Sequence, residues 1–302
     1  MVLSRVSIAL ATVALVAGGC GRDIPAPDAD QAPPPAPTTT APVEDPEPAS
    51  AVLAYVPAET TTVTVTDFDR VALQLGVDLS SDLTGRERKD FWQRAETETA
   101  LLARGQLRAD EDLLLADYGF GQEDVGWEAR LFDAEGNETG WVLGFHDTTD
   151  MTKVQEAIEA GVVSLAGAEI VDGSIVVNGE LPDADASWAA DDTMSSLVGL
   201  PTNATYLERG CVPAPEGALG LDELDAYSLS LEGTVATARL GPGRTDLFAR
   251  MRLGEQLESF ATGFGGGVAD PLSGRIGYQL VSPPAAADLA LRRQLPFAAC
   301  GD

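Results

Sequence analysis

The sequence predicts an α+β protein built from two tandem, weakly similar halves, each running roughly β-α-β-β-α-β. Three observations carry this. Apolar-polar alternation of period two and amphipathic stretches of period 3.6 take turns along the chain. An apolar-Pro lead into a strand occurs twice, at Val56-Pro57-Ala58-Glu59-Thr60-Thr61 and Leu200-Pro201-Thr202-Asn203-Ala204-Thr205. Later landmarks recur at a near-constant offset: Trp127 to Tyr227 is 100 residues and Gly173 to Gly274 is 101. The leading prolines are 144 apart, so the first half carries about 44 extra residues before its hairpin. The order per half is that of ferredoxin-like units. One continuous α+β sheet is the alternative.

In the first half, Thr60 to Thr66 alternates valine with threonine, the pattern of a half-buried strand. Phe68 to Leu75 reads as a short helix stopped by Gly76. Thr84-Gly85-Arg86-Glu87 has the spacing of a capping box, in which the Thr84 hydroxyl takes one free amide and Glu87 reaches back to another. A helix follows from Arg86 to Arg104, with Phe91, Ala95 and Leu102 near one face and Gly105 as its C-cap. Glu111 to Tyr118 is a second helical piece. Trp127 to His146 reads as a β-hairpin around the turn-rich Asp133 to Glu138. Met151 to Ala160 is a helix capped by Thr149 or Asp150, with Val154, Ala157 and Ile158 as its apolar stripe. Ser174 to Asn178 is a strand after a Gly turn. Asp183 to Val198 reads as helical, with acids at its start that suit the helix dipole.

In the second half, Tyr227 to Leu231 and Thr234 to Leu240 form a hairpin about Glu232-Gly233. A helix runs from Thr245 to about Ser259, Arg275 to Val281 is a strand, and Pro283-Pro284 starts the last helix, through Gln294. Gly263-Phe264-Gly265-Gly266-Gly267 follows a helix and lacks the lysine of a phosphate loop, so it reads as a flexible connection.

The N-terminus is of another kind. Met1 to Arg5 carries one positive charge, and Val6 to Ala17 is an apolar run too short to span a membrane, which takes about 20 residues. Ala17-Gly18-Gly19-Cys20 then resembles the lipobox of bacterial lipoproteins, over residues 1–20 only. The resemblance implies that residues 1–19 are a signal peptide and that Cys20 takes a diacylglycerol. The chain is then held by lipid on the outer face of the cytoplasmic membrane. The competing reading is ordinary secretion, which leaves Cys20 an unexplained thiol. Residues 20–50 form a Pro-rich linker with nine prolines and few large apolar side chains. Such a segment cannot bury enough surface to offset its ordering entropy, and at ~3.1 Å per residue it extends up to ~90 Å. The first half is placed at 51–199 and the second at 200–302.

Lys+Arg is 19 and Asp+Glu 48, a net charge of −29. That surface repels phosphate backbones, so nucleic acid is not expected as a partner. Cys211 and Cys300 are expected to form one disulfide in an exported chain, closing a long loop worth at most about 4–5 kcal/mol.

Motifs of chemistry are scarce. His146 is the sole histidine and reads as a strand-end or capping residue, with no G-x-S-x-G to build a triad around it. No metal site or cofactor is expected. Asp133, Glu135 and Asn137 alternate as in a calcium loop but lack its twelfth-position glutamate, so they read as a solvated turn. Asp183, Asp185, Asp191 and Asp192 read as capping and solvating acids. Trp127 and Trp141 sit on paired strands and are expected to meet across the hairpin, as core or as a ligand platform. The functional expectation is a non-catalytic envelope lipoprotein that binds a protein or wall ligand or assists assembly. The alternatives are the solute-binding lipoprotein of a transporter and a hydrolase built on two carboxylates.

Overall fold

The computed structural model describes residues 47–80, 83–215, 218 and 220–301. The expected signal peptide, Cys20 and most of the expected linker lie outside the described residues. The described residues from Glu47 onward form one compact unit, so the folded part begins before Ala51. Helix α1 (Pro48–Ala51) already belongs to it. Glu47 caps it by accepting from the Ser50 amide at 3.0 Å, and Pro48 supplies a preset φ at its first turn. Ala49, Val52 and Leu53 are buried beneath it. Four residues are too few to lift the average composition of a 30-residue proline-rich stretch, which is why the sequence boundary fell late.

The fold class is α+β, and the strands make one ten-stranded, wholly antiparallel sheet rather than two separate units. In chain order the first five strands are β1 (Thr62–Asp67), β2 (Val125–Phe132), β3 (Glu138–Phe145), β4 (Ala168–Asp172) and β5 (Ile175–Asn178). The next five are β6 (Ala204–Arg209), β7 (Ala226–Glu232), β8 (Val235–Arg239), β9 (Phe264–Asp270) and β10 (Arg275–Leu280). The sheet order is β4-β5-β3-β2-β1-β6-β7-β8-β10-β9, with β1 and β6 paired at the centre. Each set of five contributes a strand beyond the expected four. The additions are β4, and β9, where the glycine run read as a connection pairs with β10 as an edge strand.

The strand order repeats outward from the centre, β1-β2-β3-β5-β4 on one side and β6-β7-β8-β10-β9 on the other. What joins them is β1. All six of its residues are buried, so it lies under cover on both faces. Val63 and Val65 face a layer made by α1, the 3-10 turn Val52–Tyr55, the turn Trp188–Ala190 and α6 (Asp192–Leu197), packing with Ala129, Leu131, Leu207, Trp188 and Met194. Thr62, Thr64 and Thr66 face the opposite side.

That opposite side carries the other helices in two groups. Helices α2 (Phe68–Leu75), α3 (Gly85–Glu98), α4 (Glu111–Asp117) and α5 (Met151–Glu159) cover the first five strands. Helices α7 (Leu247–Glu255), α8 (Glu258–Ala261) and α9 (Pro283–Leu291) cover the rest. The two apolar clusters are separated by a buried polar seam along β1. The Thr66 hydroxyl accepts from the amides of Leu102 and Ala103 at 3.1 and 2.8 Å. Glu128 is bound by Arg130, and Glu208 accepts from the Tyr206 and Tyr227 hydroxyls and pairs with Arg293. A buried charge without such partners is strongly destabilising.

Several local expectations have structural counterparts. The Thr84/Glu87 capping box opens α3, which ends at Glu98 rather than Arg104. Gly76 ends α2 at φ 66°, a left-handed position that costs glycine little. The helix expected over Asp183 to Val198 is two 3-10 turns followed by α6, and the single helix from Thr245 divides into α7 and α8. Cys211 and Cys300 are bonded, and Val212 bridges Ala299 beside them, pinning the C-terminal segment to the region after β6. Among the described residues, no helix is long and apolar enough to cross a membrane.

Candidate functional site

A cavity of about 460 Å³ opens where the ends of β1, β2, β3 and β5 meet α1. Its floor is a row of directly opposed residues. Asp67 on β1 pairs with Trp127 on β2, Trp127 with Gly144 on β3, and Gly144 with Ile175 on β5. Directly opposed residues of antiparallel strands share a face, so these four point the same way. The glycine is required by close approach. A Cβ on Gly144 would lie 2.1 Å from the Trp127 Nε1, so the indole lies across β3 only because the side chain opposite is a hydrogen.

The rim depends on a second glycine. Val125 pairs with Phe145, but Trp127 pairs with Gly144, leaving Gly126 as an extra residue on β2. Such a bulge twists the strand and re-aims its neighbours. A Cβ on Gly126 would meet the Asp69 Oδ2 at 2.8 Å and the His146 Cδ2 at 3.1 Å. In the space left by the missing Cβ, His146 Nε2 and Asp69 Oδ1 lie 2.8 Å apart. His146 is fixed at the end of β3 by its amide, which donates to the Asp124 carbonyl at 2.9 Å. Asp69 is held in the first turn of α2, which starts directly after β1 because Asp67 caps it: Oδ1 of Asp67 accepts from the Arg70 amide at 2.9 Å. Glu47, Ser174 and Pro201 complete the walls. A second opening of about 560 Å³ shares Ala51, His146 and Ser174 and extends past Tyr55.

The site is electronegative and partly desolvated. Burial pushes the Asp67 carboxyl up to about 6, with Asp69 and Glu232 adding to the rise and Arg70 opposing it. Burial likewise pushes Glu47 up to about 7; Asp67 adds to this, while the Ala49 and Ser50 amides and Arg239 oppose it. The hydrogen bond that His146 donates to the Asp69 carboxylate raises the histidine pKa against the effect of burial, with help from Asp124 and Asp147. Among the described residues no lysine or arginine lines the cavity.

The residues singled out from the sequence divide. Trp127 is in the floor, but Trp141 is 5% exposed within the helix-side core, and the two do not meet. Trp141 pairs with Arg130, three residues beyond Trp127 and therefore on the other face of β2. His146 is the expected strand-end residue and also a wall of the cavity. Asp133 holds the hairpin turn, its two oxygens accepting from the Asn137 amide and side chain at 2.8 and 2.9 Å. Asp191 caps α6 and pairs with Arg209. Among the described residues no group of three or more His, Cys, Asp or Glu is arranged to hold a metal ion.

Sequence reasoning missed Glu47, Asp67, Asp69, Gly126 and Gly144. The available signal was a glycine inside each hairpin strand, Val125-Gly126-Trp127 and Leu143-Gly144-Phe145, which marks a bulge or a close approach. Ser174 lines the same cavity as His146, but no hydrogen bond joins them among the described residues. Comparison of the chain with protein-family models, curated proteins and solved structures found no match, so the site is read from its own geometry.

Proposed function

We propose that the chain is an extracytoplasmic lipoprotein, anchored through Cys20 to the outer face of the cytoplasmic membrane, that binds a ligand in this cavity and does not catalyse a reaction. The observation that supports it most is the floor itself. An indole laid across a glycine beside a desolvated carboxylate sets an apolar surface against converging polar groups, as small-ligand sites do. The alternative of a hydrolase built on two carboxylates has Glu47 and Asp67 in the cavity lining, but each is engaged in capping a helix, Glu47 on α1 and Asp67 on α2. A transporter-type reading is weakened by the continuous antiparallel sheet, since lobes of that class are built on parallel units. The ligand belongs to the envelope, as a wall component or a group on another envelope protein; the net charge of −29 argues against nucleic acid.

The halves 51–199 and 200–302 are read as diverged copies. Their strand order is the same, and a cavity of about 340 Å³ lies at the equivalent strand ends of the second half, beside Ala226 and Leu240 and beneath α6. There the wall is closed by Arg244, paired with Asp246, instead of a histidine-aspartate pair. The first-half cavity is the one that kept a binding surface.

Two experiments test this. Cys20→Ser should move the protein from the membrane to the soluble extracytoplasmic fraction; a native thiol found bare by mass spectrometry contradicts anchoring. A thermal-shift screen of cationic, neutral and anionic small molecules should find a stabilising ligand whose effect is lost in Trp127→Ala. Ligands that stabilise both proteins equally, or none at all, contradict the cavity's role.

A further inference from the structure

We infer that the cavity takes an organic cation, a protonated amine whose charge lies between Asp67 and Glu47 and whose carbon chain rests on Trp127. This rests on the reading of the cavity as the binding site and names the class of ligand.

Asp67 is 8% exposed, so more than nine-tenths of it is out of water. One oxygen caps α2 through the Arg70 amide; the other has no hydrogen-bond partner among the described residues, and the residue lines the cavity. Carboxylates held that deep are normally paired. Two arginines offset these acids only from outside the cavity, Arg70 acting on Asp67 and on Glu47 and Arg239 acting on Glu47. Arg70 donates to Glu232 at 2.8 Å, and Arg239 donates to the Ser230 hydroxyl; neither lines the cavity. On the cavity side no lysine or arginine among the described residues reaches these acids, and that is the side open to a ligand. An anion would meet Glu47, Asp67, Asp69 and Asp147 with only His146, already bonded to Asp69, to match it, and a neutral molecule would leave the carboxylates as costly as before. A carboxylate opposite an indole is the pairing that recognises ammonium groups.

The charged surroundings give the inference a pH signature. Glu47 on α1 faces Asp67 and Arg239; Asp67 at the end of β1 faces Asp69 and Arg70 from α2 and Glu232 from β7. His146 faces Asp69, Asp124 and Asp147. Burial holds both acids partly protonated near neutrality, and an incoming cation favours their ionised forms. Binding therefore releases protons and tightens as pH rises from 5 to 8; loss of the His146 charge acts in the same direction.

The test uses the full-length chain in neutral detergent at 150 mM salt, where surface attraction is screened beyond about 8 Å. Titration calorimetry compares cadaverine with its neutral and anionic counterparts, 1,5-pentanediol and glutarate. Cadaverine alone should bind, about tenfold or more tightly at pH 8 than at pH 5, with proton release that depends on buffer ionisation enthalpy. Asp67→Asn and Glu47→Gln should each weaken it about tenfold or more; should one variant not fold, the other and the pH profile decide. Equal or better binding of the diol or glutarate overturns the cation inference and leaves the cavity's role standing. Cadaverine binding that survives both substitutions is surface attraction and also overturns it. Silence from all three overturns the inference, while the role of the cavity is judged by the thermal screen.

Discussion

At the scale of single residues, Asp67 does two jobs that pull against each other. Its capping bond to α2 favours folding, yet its burial opposes ionisation. Because its folded pKa is raised to about 6 from the usual 3.8 of an aspartate, its contribution to stability is fully present below about pH 4 and is lost as pH rises through 6. Asparagine caps as well as aspartate and cannot ionise. Asp67→Asn should therefore stabilise the protein by about 1–3 kcal/mol at pH 8 and change it little at pH 4, as read by urea denaturation at the two pH values. Gly144→Ala should act oppositely. The added methyl displaces the Trp127 ring and costs about 1–3 kcal/mol, with a change in the near-ultraviolet circular dichroism that follows the indole's lost environment. Neither residue stood out in the sequence. An aspartate at a strand-helix junction is an ordinary cap, and its burial is created by α1 and by a bulge whose effect depends on three strands at once. Trp127 and His146 were visible as rare side chains, but their relation was not. A one-residue bulge at Gly126 separates the indole from the imidazole, and simple alternation does not record it.

At the scale of elements, the disulfide and the edge strands show what pattern reading reaches. The Cys211–Cys300 pairing was expected for the two cysteines beyond the proposed lipid anchor, and the bond closes the region after β6 against the C-terminal 3-10 turn. Replacing both cysteines by serine should cost about 2–4 kcal/mol. Faster amide exchange at Val212 and Cys300, which donate across that bridge, should accompany the loss, measured by hydrogen-exchange mass spectrometry. Helices α2 and α5 were legible because each has a cap, an apolar stripe and a glycine stop. Strand β9 was not, because Gly265, Gly266 and Gly267 supply no side chains to alternate. Its partner β10 and the ladder bonds between them define it, and those are tertiary facts. Helix α1 was hidden for the opposite reason: its sequence is ordinary, but it sits at the end of a stretch whose average composition is that of a tether.

At the scale of the whole molecule, β1 decides between two domains and one. Threonine counts as polar in a pattern, so Thr60 to Thr66 read as half-buried. In the sheet, Thr64 and Thr66 are as buried as Val63, and the strand that would close one half instead pairs on both sides. The halves share the β1·β6 ladder and the layer of α1 and α6, so they should unfold together. All four tryptophans precede residue 200, so their fluorescence reports the first half, and amide exchange in β8 and β10 reports the second. The two should give the same free energy of opening. Leu207→Ala, at the shared ladder, should lower both by about 2–5 kcal/mol.

The cavity's role is tested most directly by the four indole N–H resonances of the full-length chain during titration with the best-stabilising molecule from the ligand screen. Trp92, Trp141 and Trp188 are core residues at 4%, 5% and 0% exposure, whereas Trp127 lies in the cavity floor. The account predicts that the Trp127 signal shifts progressively and saturates while the other three hold still. A saturating shift of the others with Trp127 unmoved would place the ligand elsewhere and contradict it.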